Sequence, residues 1–308
     1  MCRVTRRQIV EAVAACSVAG AASIATRGHA QTTAPSRDAH KRAATAADGA
    51  AWLKLPPTPT LPREARKSGL AKVNGTSLYF AQFGEGPPVL LLHGGLANAN
   101  YWGHQVAAPV ERFSVTVIDT RGHGRSPLTS RAFSYRTLAD DVAAVMDLLD
   151  ISAAAIIGWS DGGIVGLQLA VDRPDRVSRL FAFGANSSLD GLNANGPRTA
   201  VFQSFSQRCR AEYAQLSPQP ERWPQLIAGL RAMWRSEPNF TRQMLAGIKL
   251  PVTISAGEYD EIIKRDHTEQ MARTIPGARL VIQPRVSHFA MLQDPVQFNR
   301  ALSESLTA

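Results

Sequence analysis

From about residue 70 onward, short unbroken apolar runs alternate with longer amphipathic stretches, and this rhythm constrains the fold most. "PPVLLLHGG" (87–95), "FSVTVIDT" (113–120), "AAAIIG" (153–158), "SRLFAFG" (178–184), "LPVTISAG" (250–257) and "ARLVIQP" (278–284) have strand length. Such runs suit strands buried on both faces, as in a parallel sheet. Between them, "YRTLADDVAAVMDLLD" (135–150) sets Leu138, Val142, Val145 and Leu149 at helical spacing. "GIVGLQLAVDRPDRV" (163–177) reads as a second helix, stopped by Pro174. Strands alternating with helices mean an α/β chain whose sheet is mostly parallel, with right-handed crossovers. The early "KVNGTSLYFAQFG" (72–84) differs: Asn74-Gly75 predicts a hairpin turn.

One stretch breaks the rhythm. Residues from about 187 to 250 hold no strand-like run but carry Phe202, Phe205, Tyr213, Trp223, Met233, Trp234 and Met244. Helices inserted between two strands would sit over one end of the sheet. Ligands of such sheets bind at the carboxyl ends of the strands. The segment is therefore expected to be a helical cap, some of its aromatics lining an apolar pocket and the rest packing its own small core.

The net charge of +9 suggests an acidic partner until it is located. Arg3, Arg6, Arg7 and Arg27 face only Glu11 in residues 1–30, and residues 31–68 hold seven basic against three acidic side chains. The remaining 240 residues carry only +2, so no nucleic-acid footprint is expected on the folded surface. "TRRQIV" (5–10), a small-residue apolar stretch and "GHA" (28–30) read as a twin-arginine export signal over residues 1–30, giving a periplasmic or secreted chain. "VAAC" (13–16) offers a lipoprotein box as a minor alternative. The apolar stretch is too short for a stable span, and no membrane association is expected after cleavage. Residues 31–68, rich in Ala and ending among Pro56, Pro57, Pro59 and Pro62, read as a linker, with one domain at 69–308. Cys2 and Cys16 fall in the leader, which leaves Cys209 alone as a buried small hydrophobe with no disulfide to make.

The chemistry starts at "GWSDG" (158–162), where Ser160 lies between glycines two before and two after. A serine lifted on a sharp strand-to-helix turn needs that spacing, because side chains at the flanking positions would collide. The helix that follows aims its N–H groups at developing negative charge. A hydroxyl needs a base. His288 follows the last strand run by a short loop, at the carboxyl edge that also carries Ser160. His93 is expected to hold a loop; His40, His104, His123 and His267 lack a preceding strand. The base needs a carboxylate. Asp260 follows a strand directly, with Glu258, Glu261 and Asp190 as rivals.

The order Ser160, Asp260, His288, together with "LLLHGG" (90–95), "DTRGHGRS" (119–126), "GWSDGG" (158–163), "GEYD" (257–260) and "SHF" (287–289), resembles the α/β-hydrolase fold superfamily over residues 70–305. Within it, the chain is most similar to esterases related to biphenyl hydrolase-like and haloperoxidase-like proteins. The resemblance implies an eight-stranded, mostly parallel sheet flanked by helices. It also implies an oxyanion hole from the amides of Asp161 and Gly95, with Leu96 as the alternative, and substrate contacts from Trp159, Trp102 and Phe289. "DTRGHGRS" is read as structural, Arg121 pairing with a nearby carboxylate.

The expected activity is hydrolysis of a small-molecule carboxylic ester through an acyl-enzyme, without metal or cofactor. A carbon–carbon bond hydrolase, a lactonase, a perhydrolase or a non-catalytic receptor with the same fold are the alternatives. An epoxide hydrolase or dehalogenase would place aspartate where Ser160 stands. The Asp161 side chain has two readings: a substrate-facing group that favours a cation, or a negative first-turn residue of the helix. The oligomeric state is not legible.

Overall fold

The computed structural model describes residues 50–107 and 112–307. The leader, Cys2, Cys16, His40 and the first part of the expected linker lie outside these residues. Eight strands form one sheet: β1 (Lys67–Val73), β2 (Thr76–Phe83), β3 (Pro88–Leu92), β4 (Ser114–Ile118), β5 (Ala154–Trp159), β6 (Val177–Phe183), β7 (Val252–Gly257) and β8 (Arg279–Gln283). Their order is β1-β2-β4-β3-β5-β6-β7-β8. β1 and β2 pair antiparallel across Asn74-Gly75, both at positive φ, the geometry that matches strand twist in a two-residue hairpin. β2 meets β4 antiparallel, and every later pair is parallel.

Burial follows position in the sheet. β4, β5 and β7 are buried throughout and β3 beyond its first residue, whereas the edge strands β1 and β8 are largely exposed. That is why the central strands read as unbroken apolar runs. The helices are α1 (Tyr135–Leu148), α2 (Asp161–Asp172), α3 (Ala200–Leu216), α4 (Trp223–Trp234), α5 (Arg242–Gly247), α6 (Arg265–Thr274) and α7 (Pro295–Thr307), with single turns at Gly103–Val106 and Ala290–Gln293. Ser134 caps α1 by accepting the Thr137 N–H, and Leu138, Val142 and Val145 form its buried stripe. Leu149 lies just past its end and is only partly buried.

β6 shows how the layers form. Its side chains alternate between faces. Leu180 and Ala182 meet Gly166 and Gly163 of α2, while Phe181 and Phe183 meet Phe298 of α7 edge-on at 5.7 and 5.2 Å. Helices therefore cover both faces, and α3, α4 and α5 lie in the insertion between β6 and β7. Among the described residues no helix is long and apolar enough to cross a membrane.

Residues 50–66, expected as part of a linker, are packed onto the body. Leu55, Leu61 and Ala65 rest against the core. The Arg208 guanidinium of α3 donates to the carbonyls of Leu55 and Pro56. Prolines that bar a helix leave backbone carbonyls exposed along an extended chain, and here those carbonyls find donors.

Candidate active site

The turn after β5 places Ser160 at φ 54°, ψ −121°, a conformation non-glycine residues seldom adopt and that costs about 1–3 kcal/mol. Its surroundings over-determine it. The Ser160 N–H donates to the Phe183 carbonyl at 2.8 Å, and its own carbonyl accepts the Ile164 N–H at 3.0 Å. A Cβ at Gly158 would strike the backbone of Gly162, and one at Gly162 would strike the Leu92 carbonyl. The spacing of the two glycines is thus a packing requirement. α2 begins at Asp161, so its first N–H has no partner within the helix.

His288 is buried, with Nδ1 3.0 Å from both Asp260 carboxylate oxygens. A carboxylate only accepts, so Nδ1 carries the proton and Nε2 keeps its lone pair. Asp260 is held in turn: its Oδ1 accepts the N–H groups of Ile262 at 3.0 Å and Ile263 at 2.9 Å. Burial pulls the His288 pKa down, but the charge and hydrogen bond of Asp260, helped by Glu261 and Asp161, outweigh it and leave the imidazole above its ordinary value. Gly184, at φ +60°, leaves room for this pair; a Cβ there would lie 2.7 Å from His288 Cε1.

The rival carboxylates are otherwise engaged. Glu258 accepts the Arg285 N–H, and Asp190 lies exposed beyond β6. Glu261 accepts the His288 backbone N–H at 3.2 Å, and burial, then the charge of Asp260, pushes its carboxyl up to about 7. The other histidines are structural or remote. His93 Nε2 accepts the Thr120 N–H at 3.0 Å, which ties two loops together. His267 accepts the Ser187 N–H, and His104 is exposed. Arg121 forms a two-pronged, buried pair with Asp141 at 2.7 and 2.8 Å, so the "DTRGHGRS" loop is braced.

Ser160 and His288 open onto one cavity of about 110 Å³, with Gly94, Gly95, Leu96, Trp159 and Asp161 on the sheet side. Neither the Gly95 nor the Leu96 N–H donates to a backbone carbonyl among the described residues, and Leu96 sits at φ +69°. The insertion roofs the cavity with Phe202, Phe205 and Trp234, and adds Arg231, Glu237 and Pro238. Tyr213 and Trp223 instead stack on each other, 5.3 Å apart, inside the cap.

Two expected substrate contacts are corrected. Trp102 is fully buried in the core against Phe298 and does not reach the cavity. Phe289 is also fully buried, behind the wall, packed on Trp159, Phe205 and His288. A bulky apolar residue beside a motif is as useful for supporting it as for touching a ligand. Trp159 alone of the three lines the cavity.

The Asp161 side chain is engaged by two protein donors. The residue starts α2 and lines the cavity, and its buried carboxylate accepts the Tyr135 hydroxyl at 2.8 Å and the Trp234 indole N–H at 2.9 Å. Burial raises its pKa although both donors favour the charged form. Gly95 backs directly onto this cluster, since a Cβ there would lie 2.5 Å from both Asp161 Oδ2 and Trp234. Nothing in the spacing of Tyr135 or Trp234 pointed to Asp161, because the three come from separate parts of the chain.

A family model described as alpha/beta hydrolase fold matches residues 87–217. The chain is 29% identical over 255 residues to the serine hydrolase BPHL of Homo sapiens, covering 78% of this chain and 86% of the relative. It is similar to the solved structure of Est816, described as an N-acyl homoserine lactone degrading enzyme, at 28% identity and TM-score 0.60, covering 77% of this chain and 99% of that one. A meta-cleavage product hydrolase from Pseudomonas fluorescens IP01 shares the fold at 21% identity and TM-score 0.68, covering 79% and 98%.

Proposed function

We propose that this chain, an esterase-like member of the α/β-hydrolase fold superfamily, hydrolyses compact oxoesters, open-chain or cyclic, through an acyl-enzyme on Ser160. The observation that carries the reading is His288, locked by Asp260 with Nε2 unprotonated, on the same cavity as a serine held in a strained turn. Ser160 Oγ attacks the carbonyl carbon while His288 Nε2 takes its proton. The carbonyl oxygen becomes an anion and is met by the amide of Asp161 and by that of Gly95 or Leu96. Donors of this kind lower a barrier by about 2.7–4 kcal/mol each. His288 then protonates the leaving alkoxide. Water, deprotonated by the same nitrogen, attacks the acyl-enzyme and frees the acid and Ser160. The His288 imidazolium formed along the way is stabilised by Asp260.

The cyclic substrates rest on the cavity. It is small and roofed by the cap, and in a lactone the leaving oxygen stays tethered to the acyl group, so one compartment serves both halves. The likeness to the lactone-degrading Est816 supports the same choice. Purified protein assayed on p-nitrophenyl esters from acetate to octanoate, on γ- and δ-lactones and on a vinylogous diketone tests the reading, with Ser160→Ala beside it. Turnover of esters or lactones that falls by about 10³-fold or more in Ser160→Ala is the expected result. Cleavage of the diketone alone would replace the ester reading by carbon–carbon hydrolysis, and no turnover with ligand binding would make the chain a receptor. We also propose export by the twin-arginine route; retention in the cytoplasm of an Arg6→Lys, Arg7→Lys chain and not of the parent would support it.

A further inference from the structure

The segment Trp52–Thr58 touches three separate parts of the candidate site, the acid loop, the base loop and the cap. On the acid loop, the Trp52 ring stacks on Tyr259, the residue before Asp260, with centroids 4.1 Å apart and planes 21° apart. On the base loop, the contact runs through Gln293. The two N–H bonds of its amide serve three acceptors, the carbonyls of Trp52 at 3.1 Å and Lys54 at 2.9 Å and Ser287 Oγ at 3.0 Å, one N–H being shared. Its oxygen accepts the Ser287 N–H at 2.7 Å. Ser287 is the residue before His288, so Gln293 grips the base loop by both backbone and side chain. On the cap, Arg208 of α3 donates to Leu55 and Pro56, and the Thr58 hydroxyl donates to Glu212 at 2.5 Å. The other Glu212 oxygen takes the amide of Asn98, beside the "HGG" turn, at 3.0 Å. Farther along, a Cβ at Gly103 would lie 2.5 Å from the Thr60 carbonyl, so the segment is seated against the body with no room between.

We propose that Trp52–Thr58 is an intramolecular brace that sets the acid and base loops and the cap in register, and that Gln293 is the positioning residue through which it holds His288. The proposal rests on the reading of Ser160, Asp260 and His288 as the reacting triad. An extended segment suits the task physically. Its carbonyls are not consumed by a helix or sheet, so they can be shared among donors from three separate elements. A misplacement of the base by about 1 Å costs on the order of 100-fold in rate, so a brace on the base loop acts on turnover more than on binding.

The test compares the full chain with Gln293→Leu and Trp52→Ala, measuring kcat, KM and thermal unfolding, and following the His288 imidazole by NMR titration. Asp260, Glu261 and Asp161 are the charged groups that act on His288, and neither variant alters them. A shift of the imidazole titration therefore reports the geometry of the loop. The expected result is a kcat lowered about 10- to 100-fold in Gln293→Leu and less in Trp52→Ala, KM held within about twofold, and the His288 titration moved towards the ordinary histidine value. Unchanged kcat and His288 titration, with only a lower Tm, would overturn the proposal and leave the segment a structural cover. Should Gln293→Leu fail to fold, Trp52→Ala decides, because it removes a partly exposed ring outside the core. The titration needs no substrate, so the brace can fail while the hydrolase reading stands, and the reverse.

Discussion

The turn that carries Ser160 and the cap that roofs it are held by opposite means. At the turn, backbone meets backbone. Gly158, Gly162 and the Leu92 carbonyl leave no room for a side chain, and the flanking strands β3 and β5 are buried. The cap meets the turn through side chains instead, the Trp234 indole on Asp161. Backbone packing at close range has one solution, whereas side-chain contacts can be exchanged. A serine hydrolase needs both: a rigid nucleophile and a cover that determines what reaches it.

That contrast can be broken first at the turn. Gly162→Ala drives a methyl group into the Leu92 and His93 carbonyls, neither of which can move without shifting β3. Loss of folded protein, or destabilisation of about 3 kcal/mol or more by chemical denaturation, is expected. Asp260→Asn leaves the loop in place but removes the charge that selects the Nδ1–H form of His288. Its kcat should fall by about 10³–10⁴-fold with the Tm little changed, as pre-steady-state and unfolding measurements would show.

The pH dependence sharpens the comparison. The proposed base, His288, must be neutral to react, and its pKa lies above its ordinary value, so kcat/KM should fall on the acid side from a midpoint higher than that of a free histidine. Stability responds to different groups. Burial, the largest cause for both, lowers His93 to about 4 and His123 to about 3. The unfolded chain therefore binds protons below about pH 6.5 that the folded chain refuses, and stability falls as pH drops from there towards those values. His288, raised on folding, works in the opposite sense, its contribution being present at low pH and lost as pH rises through its folded value. Glu261, pushed up to about 7, and Asp161, also raised, act in the same sense as His288, so the buried histidines are read by difference: as pH falls from 7 to 4, the Tm of the parent should drop relative to that of a His123→Gln chain. A Tm difference between the two chains that stays constant over that range would contradict a neutral, buried His123.

The smallest effect is expected at the cap. Trp234→Phe keeps the apolar roof and deletes the N–H given to Asp161. KM should rise a few-fold with kcat within about threefold, since a hydrogen bond to a charged group contributes about 1.5–3 kcal/mol and Tyr135 still holds the carboxylate. A large loss of kcat would mean that the cap also positions the Asp161 amide proposed for the oxyanion, and that the two regions act together.

Local pattern carried much of this architecture. Unbroken apolar runs became buried strands, Asn74-Gly75 became the hairpin turn, and the aromatic-rich stretch without strands became the roof of the cavity. Ser160, Asp260 and His288 were legible because each follows a strand, and parallel strands deliver their carboxyl ends to one edge. Trp102 and Phe289 were misjudged for want of a third dimension. Nearness in sequence to a motif does not say whether a ring faces the cavity or the core behind it.

What the sequence by itself determined are features with short-range causes: the periodicity that makes strand or helix, the glycines that make the turn possible, and the residue types able to act as nucleophile, base and acid. Only the tertiary structure decided the fate of Asp161, bound by both Tyr135 and Trp234, and the laying of Trp52–Thr58 across the cap and both loops. Those contacts join residues tens to hundreds of positions apart, with no repeat or spacing to announce them. Their partners are chosen by where the folded chain brings a buried donor within reach of an acceptor, because leaving either unpaired costs more than the bond gains.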